Sequence, residues 1–504
     1  MVALDGRSLT LSQLAAVADD TEDVALDPAA RARVDAARAV VERHAGGDAP
    51  VYGINTGFGS FSEVRIPHEA LAALQLNLLR SHAAGVGEPL PVRAVRATIA
   101  LRANVLACGY SGVRASTLEA LLALLRARVH PVVPCRGSVG ASGDLAPLAH
   151  LALVLVGEGE ALVPGGRVPG SEALRAAGLA PITLQAKEGL ALVNGTQPST
   201  AVLALALHDA WRIARAADVA AALSIDGLRG STRPFEPRIH EARPHEGQAV
   251  SAANIAALLA GSAINASHAD CGRVQDAYSM RCAPQVHGAA RDALAFVGRT
   301  VGVELNAATD NPMVFAAQGD IVSGGNFHGA PVAVAADVLA IALAQFATIS
   351  ERRSDRLLNH DLSGLPPFLT REGGLQSGLM LAQVTAAALA SELKGLAHPA
   401  SVDTIPTSAN KEDHVSMSMA AALKAARAVA LARQVVAIEL VCAAQAIDLL
   451  APLTTSAPLA RVHDIIRARV APLDHDRPPA PDIAAIDAAI AADAFAHAGP
   501  VVVN

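Results

Sequence analysis

Residues 136–150 read RGSVGASGDLAPLAH, and the Ala141-Ser142-Gly143 triplet at the centre can do chemistry by itself. Three readings compete. The plainest is a flexible start to a helix, with Asp144 as its N-cap. The second is a phosphate loop, because Gly137, Gly140 and Gly143 recur at every third position. Such a loop ends in Lys-Ser/Thr, whereas this one ends in Asp144, whose charge repels phosphate. The third reading is covalent. The Gly143 amide nitrogen can attack the Ala141 carbonyl, since glycine lets the backbone fold tightly and alanine adds little bulk. With the loss of two waters, Ser142 becomes an exocyclic methylidene. The product, 4-methylideneimidazol-5-one, is an electrophile built from the chain with no added cofactor.

Other residue types extend this chemistry. The chain has only three tyrosines. Two of them, Tyr52 in VYGINTGFG and Tyr278 in VQDAYSMRCAPQ, lie in distinctive runs. Gln275, Tyr278 and Arg281 follow at successive threes and would share one helix face. Arg281 suits a two-point grip on a carboxylate, or else an ion pair with Asp276. Asn194 precedes Gly195, which reads as a turn or as a polar contact to a ligand. A metal site is not expected: Pro244 separates His240-Glu241 from His245-Glu246 and spoils the helical i, i+4 geometry that zinc would need.

Elements must hold these groups in place. The 504 residues carry a net charge of −7, and aromatics are only 3%. Alanine-rich runs favour helix, and the lack of a basic stripe argues against nucleic acid or an anionic membrane as partner. Cys108, Cys135, Cys271, Cys282 and Cys442 show no metal spacing, and their odd number suits a reducing cytoplasm. The N-terminus lacks the basic and apolar regions of a signal peptide. The apolar window 332–350 holds Asp337 and Gln345, so it reads as a buried bundle helix rather than a membrane span. Long alanine-rich segments cover 198–225, 331–358, 375–396 and 414–450. The last would span roughly 55 Å if continuous. The fold class expected is all-α, with a loop-rich domain over 1–200 carrying the Ala-Ser-Gly loop and an elongated long-helix bundle over 201–504. Several of these helices are apolar on more than one face, which points to burial by neighbouring subunits.

From about residue 5 to 490 the motifs are long and specific: VYGINTGFG, NLLRSHAAGVGEPL, GSVGASGDLAPLAH, KEGLALVNGT, VQDAYSMRCAPQ, ELNAATDNP, SGGNFHG, LSGLPPFL and SVDTIPTSANKEDHVSM. In these the chain resembles the aromatic amino acid ammonia-lyases, and within them the histidine ammonia-lyase branch. The resemblance implies a fumarase/aspartase-like helical bundle and a homotetramer with shared active sites. It also implies elimination of ammonia from L-histidine to give trans-urocanate, with the prosthetic group formed from Ala141, Ser142 and Gly143. Tyr52, on a mobile Gly-rich loop, is implied as the base that takes the β-proton, and Tyr278 as a second catalytic tyrosine. A tyrosine base needs nearby positive charge, because its reference pKa is about 10.

The same resemblance assigns substrate contacts. Arg281 would grip the carboxylate; Asn194 would contact the prosthetic group and that carboxylate; Gln275 and Asn326 would bind substrate; Phe327 would shield the electrophile. Gln285 and Asn311 would support these from behind. The Ser81-His82 pair is the histidine form of a position that separates the branches, so His82 and Glu412 would read the imidazole from opposite sides. Lys411, Ala277 and His287 depart from the pattern, and Lys411 could pair with Glu412. The readings left open are a tyrosine or phenylalanine ammonia-lyase, a 2,3-aminomutase of the same family, and a non-catalytic helical scaffold.

Overall fold

The computed structural model describes residues 1–496 apart from 48, 270, 271 and 273, so Cys271 lies outside the described residues. Helix dominates, with twenty α-helices among the described residues. Two compact units form. The first comprises Met1–Leu205, Gly298–Ala336 and Pro399–Leu423; the second comprises Ala206–Val297, Asp337–His398 and Lys424–Asn504. Four of the five boundaries fall inside helices, Gln197–Gly227, Ala283–Glu304, Ala330–Leu358 and Ser418–Leu449, and the fifth follows Met380–Leu396, between His398 and Pro399.

The first unit is a cluster of short helices trimmed by small sheets. All nine described strands belong to it, none longer than four residues. Val2–Leu4 pairs in parallel with Val24–Leu26, and Met313–Phe315 forms a hairpin with Asp320–Val322. Helix ends here follow local chemistry. Thr10 and Gln13 close a capping box on Leu11–Ala18, and Asp27 caps Pro28–Ala45 with proline at its first turn. The Leu71–His82 helix ends on Arg80 and His82, where the basic groups favour the carbonyl end.

The second unit is built from long apolar helices, as expected, with changed ends. The 375–396 segment becomes helical only at Met380, after a turn in which Gly378 has φ +58°. The 414–450 segment starts at Ser418, because Met417 sits at φ +58° and cannot join the helix. Its 32 residues give about 48 Å. The 22-residue helix Ala283–Glu304 has no counterpart among the long segments read from the sequence. Gly288, Gly298 and Gly302 dilute its pattern.

Ala330–Leu358 and Ser418–Leu449 are long and apolar enough to cross a membrane, yet 72% and 83% of their most apolar windows are buried within the protein. Asp337, inside the first, is met by Lys424 at 3.4 Å. These are core helices.

Candidate active site

The Ala-Ser-Gly triplet is held by the beginnings of four helices, all within the first unit. Leu145–Leu155 starts directly after Asp144. Asp144 sits at the N-cap position of that helix, but its side chain makes no cap bond there. Its Oδ2 instead accepts from the Ser199 amide (2.8 Å) and hydroxyl (2.7 Å) in the first turn of Gln197–Gly227, and Oδ1 accepts from Ser138 (2.5 Å). The simple N-cap expected at Asp144 is therefore corrected: the carboxylate ties two elements together. The Gly140 carbonyl accepts from the Gly329 amide (3.2 Å), beside Ala330–Leu358, and from the Ser416 hydroxyl (2.9 Å). The Val139 carbonyl accepts from the Met417 amide (2.8 Å), one residue before Ser418–Leu449. Helix N-termini carry partial positive charge, so negative charge gathering at this loop is stabilised.

Gly143 is fixed by steric need. It has φ +70° and pairs with Gly195, and a Cβ there would lie 2.2 Å from the Gly195 carbonyl oxygen. The triplet thus has the residues and the tight backbone that the cyclised group requires.

Ala141 and Ser142 line a cavity of about 600 Å³ together with Tyr52, Asn194, Asn311, Phe327, Lys411 and Glu412. Ser142 Oγ donates to Glu412 Oε1 at 2.8 Å, and Thr407 Oγ1 donates to Glu412 Oε2 at 2.6 Å. The Glu412 carboxylate is therefore engaged by two hydroxyls and not by Lys411. The turn that presents it is strained. Ser408, Ala409 and Asn410 all have positive φ (51°, 52° and 67°), and backbone bonds between Thr407 and Glu412 close it. Non-glycine residues in that region cost on the order of 1–3 kcal/mol each and persist where surroundings over-determine them.

Tyr52 packs edge-on against Phe58, ring centroids 6.5 Å apart. Burial pushes its hydroxyl above the usual tyrosine range; the Gly59 amide pulls it down, and Glu412 pushes it further up. The charge that acts on Tyr52 here is negative, where a phenolate needs positive. Asn194 donates from Nδ2 to the Asn311 carbonyl at 3.4 Å, while its buried Oδ1 has no partner.

Other expected residues lie elsewhere. His82 lines an adjoining apolar pocket of about 440 Å³ with Phe58, Phe61 and Leu78, its Nδ1 3.0 Å from Ser81 Oγ. Burial lowers its pKa, and Glu412 acts in the opposite direction. Asn326 is exposed and reaches Met313 Sδ at 3.5 Å. Gln275, Tyr278, Arg281 and Gln285 belong to the second unit. The helix expected to carry the first three spans only Tyr278–Arg281, because Ala277 is its extended N-cap and Gln275 precedes it. Arg281 still reaches Gln275 Oε1 (3.1 Å) and stacks over the Tyr278 ring at 4.6 Å. Its Nε meets the Asp276 carbonyl, not the carboxylate. Tyr278 is 71% exposed.

His328 and His414, not singled out in the sequence, also line the cavity. Their rings stack 5.9 Å apart, and His328 bridges the His414 carbonyl and the Ala330 amide. Both sit in the quoted runs SGGNFHG and ANKEDH, which was the available signal. Among the described residues no group of three or more His, Cys, Asp or Glu is placed to hold a metal. His240 spends both ring nitrogens on the Pro234 carbonyl and the Gln248 side chain.

Comparison with known proteins gives a consistent frame. A histidine ammonia-lyase of Anaeromyxobacter sp. (strain K) is 58% identical over 496 residues, covering 97% of this chain and 98% of that protein. The crystal structure of histidine ammonia-lyase from Trypanosoma cruzi superposes with a TM-score of 0.92 at 45% identity, covering 98% and 94% of the two chains. Tyrosine aminomutase from Streptomyces globisporus reaches 0.94 at 38% identity, covering 99% and 98%. Shape alone does not separate the two activities; sequence favours the first. The family model for aromatic amino acid lyases matches residues 9–468. The chain belongs to the aromatic amino acid lyase family.

Proposed function

We propose that this chain is a carbon–nitrogen lyase that converts L-histidine to trans-urocanate and ammonia. The observation that carries this reading is that Ala141 and Ser142 share one cavity with Tyr52, Asn194 and Glu412. Cyclised, Ala141-Ser142-Gly143 would be a 4-methylideneimidazol-5-one, an electrophile of the kind that loss of a poor leaving group from an amino acid needs. The residues around it have distinct tasks. Tyr52 takes the β-proton, the free Oδ1 of Asn194 accepts from the substrate amine, and Phe327 keeps water out. Glu412 accepts an imidazole N–H, and His82 lies behind it in the apolar pocket. A pocket that offers hydrogen bonds discriminates against phenyl substrates, which leave those groups unpaired.

Gln275, Tyr278 and Arg281 complete the site in a homotetramer, each set serving a neighbouring subunit's cavity along with Asn326. The support is that Tyr278 stands exposed with Arg281 stacked on it. A cation brought in this way opposes Glu412, the charge that raises the Tyr52 pKa. The reading includes a cytoplasmic location, in keeping with Cys108, Cys135, Cys282 and Cys442 all being free thiols.

The aminomutase reading stays open, because the Streptomyces globisporus enzyme superposes equally well, at a TM-score of 0.94. One experiment separates the two. Purified protein is given histidine, tyrosine and phenylalanine in turn, while ultraviolet product and free ammonia are followed and the intact mass is measured. The expected result is fastest turnover of histidine, ammonia equal to the unsaturated acid formed, and a chain lighter than its sequence by two waters. A β-amino acid formed without ammonia, or preference for a phenyl substrate, overturns the histidine lyase reading.

A further inference from the structure

Near the Ala-Ser-Gly loop, and not among the residues that line the cavity, lies a charge that the proposed reaction does not use. Arg102 is fully buried in the Val92–Ala107 helix. Its Nη1 donates to the Asn194 carbonyl (2.8 Å) and to Gln197 Oε1 (2.5 Å), and Nη2 donates to the Ala191 carbonyl. Every acceptor it reaches is neutral, and its buried Nε has no partner. Burial pushes its pKa down to about 10, with Asp310 pulling it back up. Lys187 and Asp310 form a separate, fully buried pair at 3.0 Å. A buried guanidinium without its own carboxylate is costly, so its placement calls for a reason beyond packing.

The contacts supply one. Arg102, Gln197 and Thr309 close on Gly195 from one side: a Cβ there would meet Arg102 Nη1 at 2.4 Å, Gln197 Oε1 at 2.4 Å and the Thr309 carbonyl at 2.5 Å. Gln197 also donates to Thr309 Oγ1 at 2.5 Å, which locks the three together. On its other side Gly195 touches Gly143, and its carbonyl accepts the Asp144 amide at 2.8 Å. Backbone therefore meets backbone, with no side chain to yield.

We propose that Arg102 is a positioning residue for ring closure: through Asn194 and Gly195 it holds Gly143 against Ala141, so that Ala141-Ser142-Gly143 cyclises. The proposal rests on the reading that the triplet cyclises at all. In that step a C–N bond forms between Gly143 N and the Ala141 carbonyl carbon. The carbonyl oxygen leaves as water with the Gly143 and Ser142 amide protons, and the Ala141 carbonyl carbon becomes doubly bonded to Ser142 N. Ser142 loses its Cα hydrogen and its hydroxyl as a second water, leaving the methylidene. No oxidant or reductant is needed. Arg102 touches none of the reacting atoms; it sets their distance, which governs such intramolecular reactions steeply.

Intact mass of the folded, purified full chain reads cyclisation directly and independently of turnover. In Arg102→Met, ring closure slows on the order of 100-fold, so most freshly expressed folded protein keeps its full sequence mass while wild type is two waters lighter. Arg96→Met is the control, because Arg96 is likewise buried and donates to the Val17 and Leu125 carbonyls. It lowers Tm but leaves ring closure complete. Complete closure in Arg102→Met, or equal loss in Arg96→Met, overturns the proposal. If Arg102→Met does not fold, Gln197→Met, which removes one arm of the clamp, decides in the same way: unclosed chain supports the proposal and full closure overturns it. A wild-type chain of full mass overturns the cyclisation reading itself, and the proposal with it.

Discussion

Both units bury ion pairs, Lys187–Asp310 in the first and Arg353–Glu439 in the second, but the charges beside the triplet are treated differently. In the second unit Asp218 receives His287 and Arg291, each at 2.7 Å, and Arg353 holds Glu439 in a two-point pair, all of them buried. Burial alone pushes Asp218 up, yet Arg291 and His287 outweigh it and hold the carboxyl at about 2. These charges are answered by opposite charges from neighbouring helices. In the first unit the buried groups around the triplet are answered mainly by dipoles. Asp144 takes only hydroxyls and an amide, and burial raises its pKa; Arg102 takes only carbonyls and an amide, and burial lowers its own. Closed ion pairs fix helix register, whereas charges bonded to backbone fix loops. The unit that carries the cavity accepts less favourable electrostatics, as sites built for chemistry commonly do.

The largest effect expected from this contrast is at Ser142. Ser142→Ala cannot form the methylidene, so turnover falls on the order of a thousandfold or more, several kcal/mol of barrier. Helix content and Tm stay near wild type, because the hydroxyl has one hydrogen bond to a single acceptor, Glu412. Turnover is measured beside thermal unfolding. Loss of folding instead of activity would make the triplet a structural element and erase the distinction between the units.

Glu439 carries the matching test in the second unit. Glu439→Gln leaves Arg353 buried with a neutral partner, and removing one member of a buried pair costs about 3–5 kcal/mol. Denaturant unfolding should show that loss, while activity per folded molecule and the two-water mass deficit are unchanged. The double variant Arg353→Met/Glu439→Leu should recover most of the stability, since apolar replacement of a buried pair is often neutral. A fall in activity per folded molecule would mean that these pairs serve the reaction too.

Much of the site was legible because its chemistry sits in continuous runs. Tyr52, Asn194, Glu412 and the triplet each lie in a continuous motif, and the structure gathers the first three with Ala141 and Ser142 in one cavity. Arg102, Lys187 and the second duty of Asp144 were not legible. Their partners are carbonyls, amides, hydroxyls and one carboxylate, most of them far away in sequence, and no spacing rule encodes such contacts. The threes of Gln275, Tyr278 and Arg281 suggested one helix face, but an extended Ala277 intervenes. Long helices were read from apolar runs, and Ala283–Glu304 escaped because glycines and charges interrupt its stripe. Where periodicity carries the information the fold was readable; where a buried side chain meets backbone it was not.

The smallest expected effect tests whether unanswered groups of the first unit govern acid stability. His130 has a buried Nδ1 without a partner, and burial, aided by Arg96, holds its pKa at about 4 while Asp20 works against them. His287, by contrast, has Asp218 bonded to its ring, which offsets part of its desolvation. A histidine whose folded pKa lies below the reference of about 6.5 binds more protons when unfolded. Its contribution is therefore fully present above about 6.5 and is lost as pH falls towards 4. His130 is partly solvated, so screening reduces the effect to on the order of 1 kcal/mol. His130→Gln, which cannot titrate, should flatten the stability profile between those limits without changing activity per folded molecule at neutral pH. Urea unfolding across the range measures it. An unchanged slope would place the acid sensitivity elsewhere, and the contrast between answered and unanswered charges would then hold for geometry but not for stability.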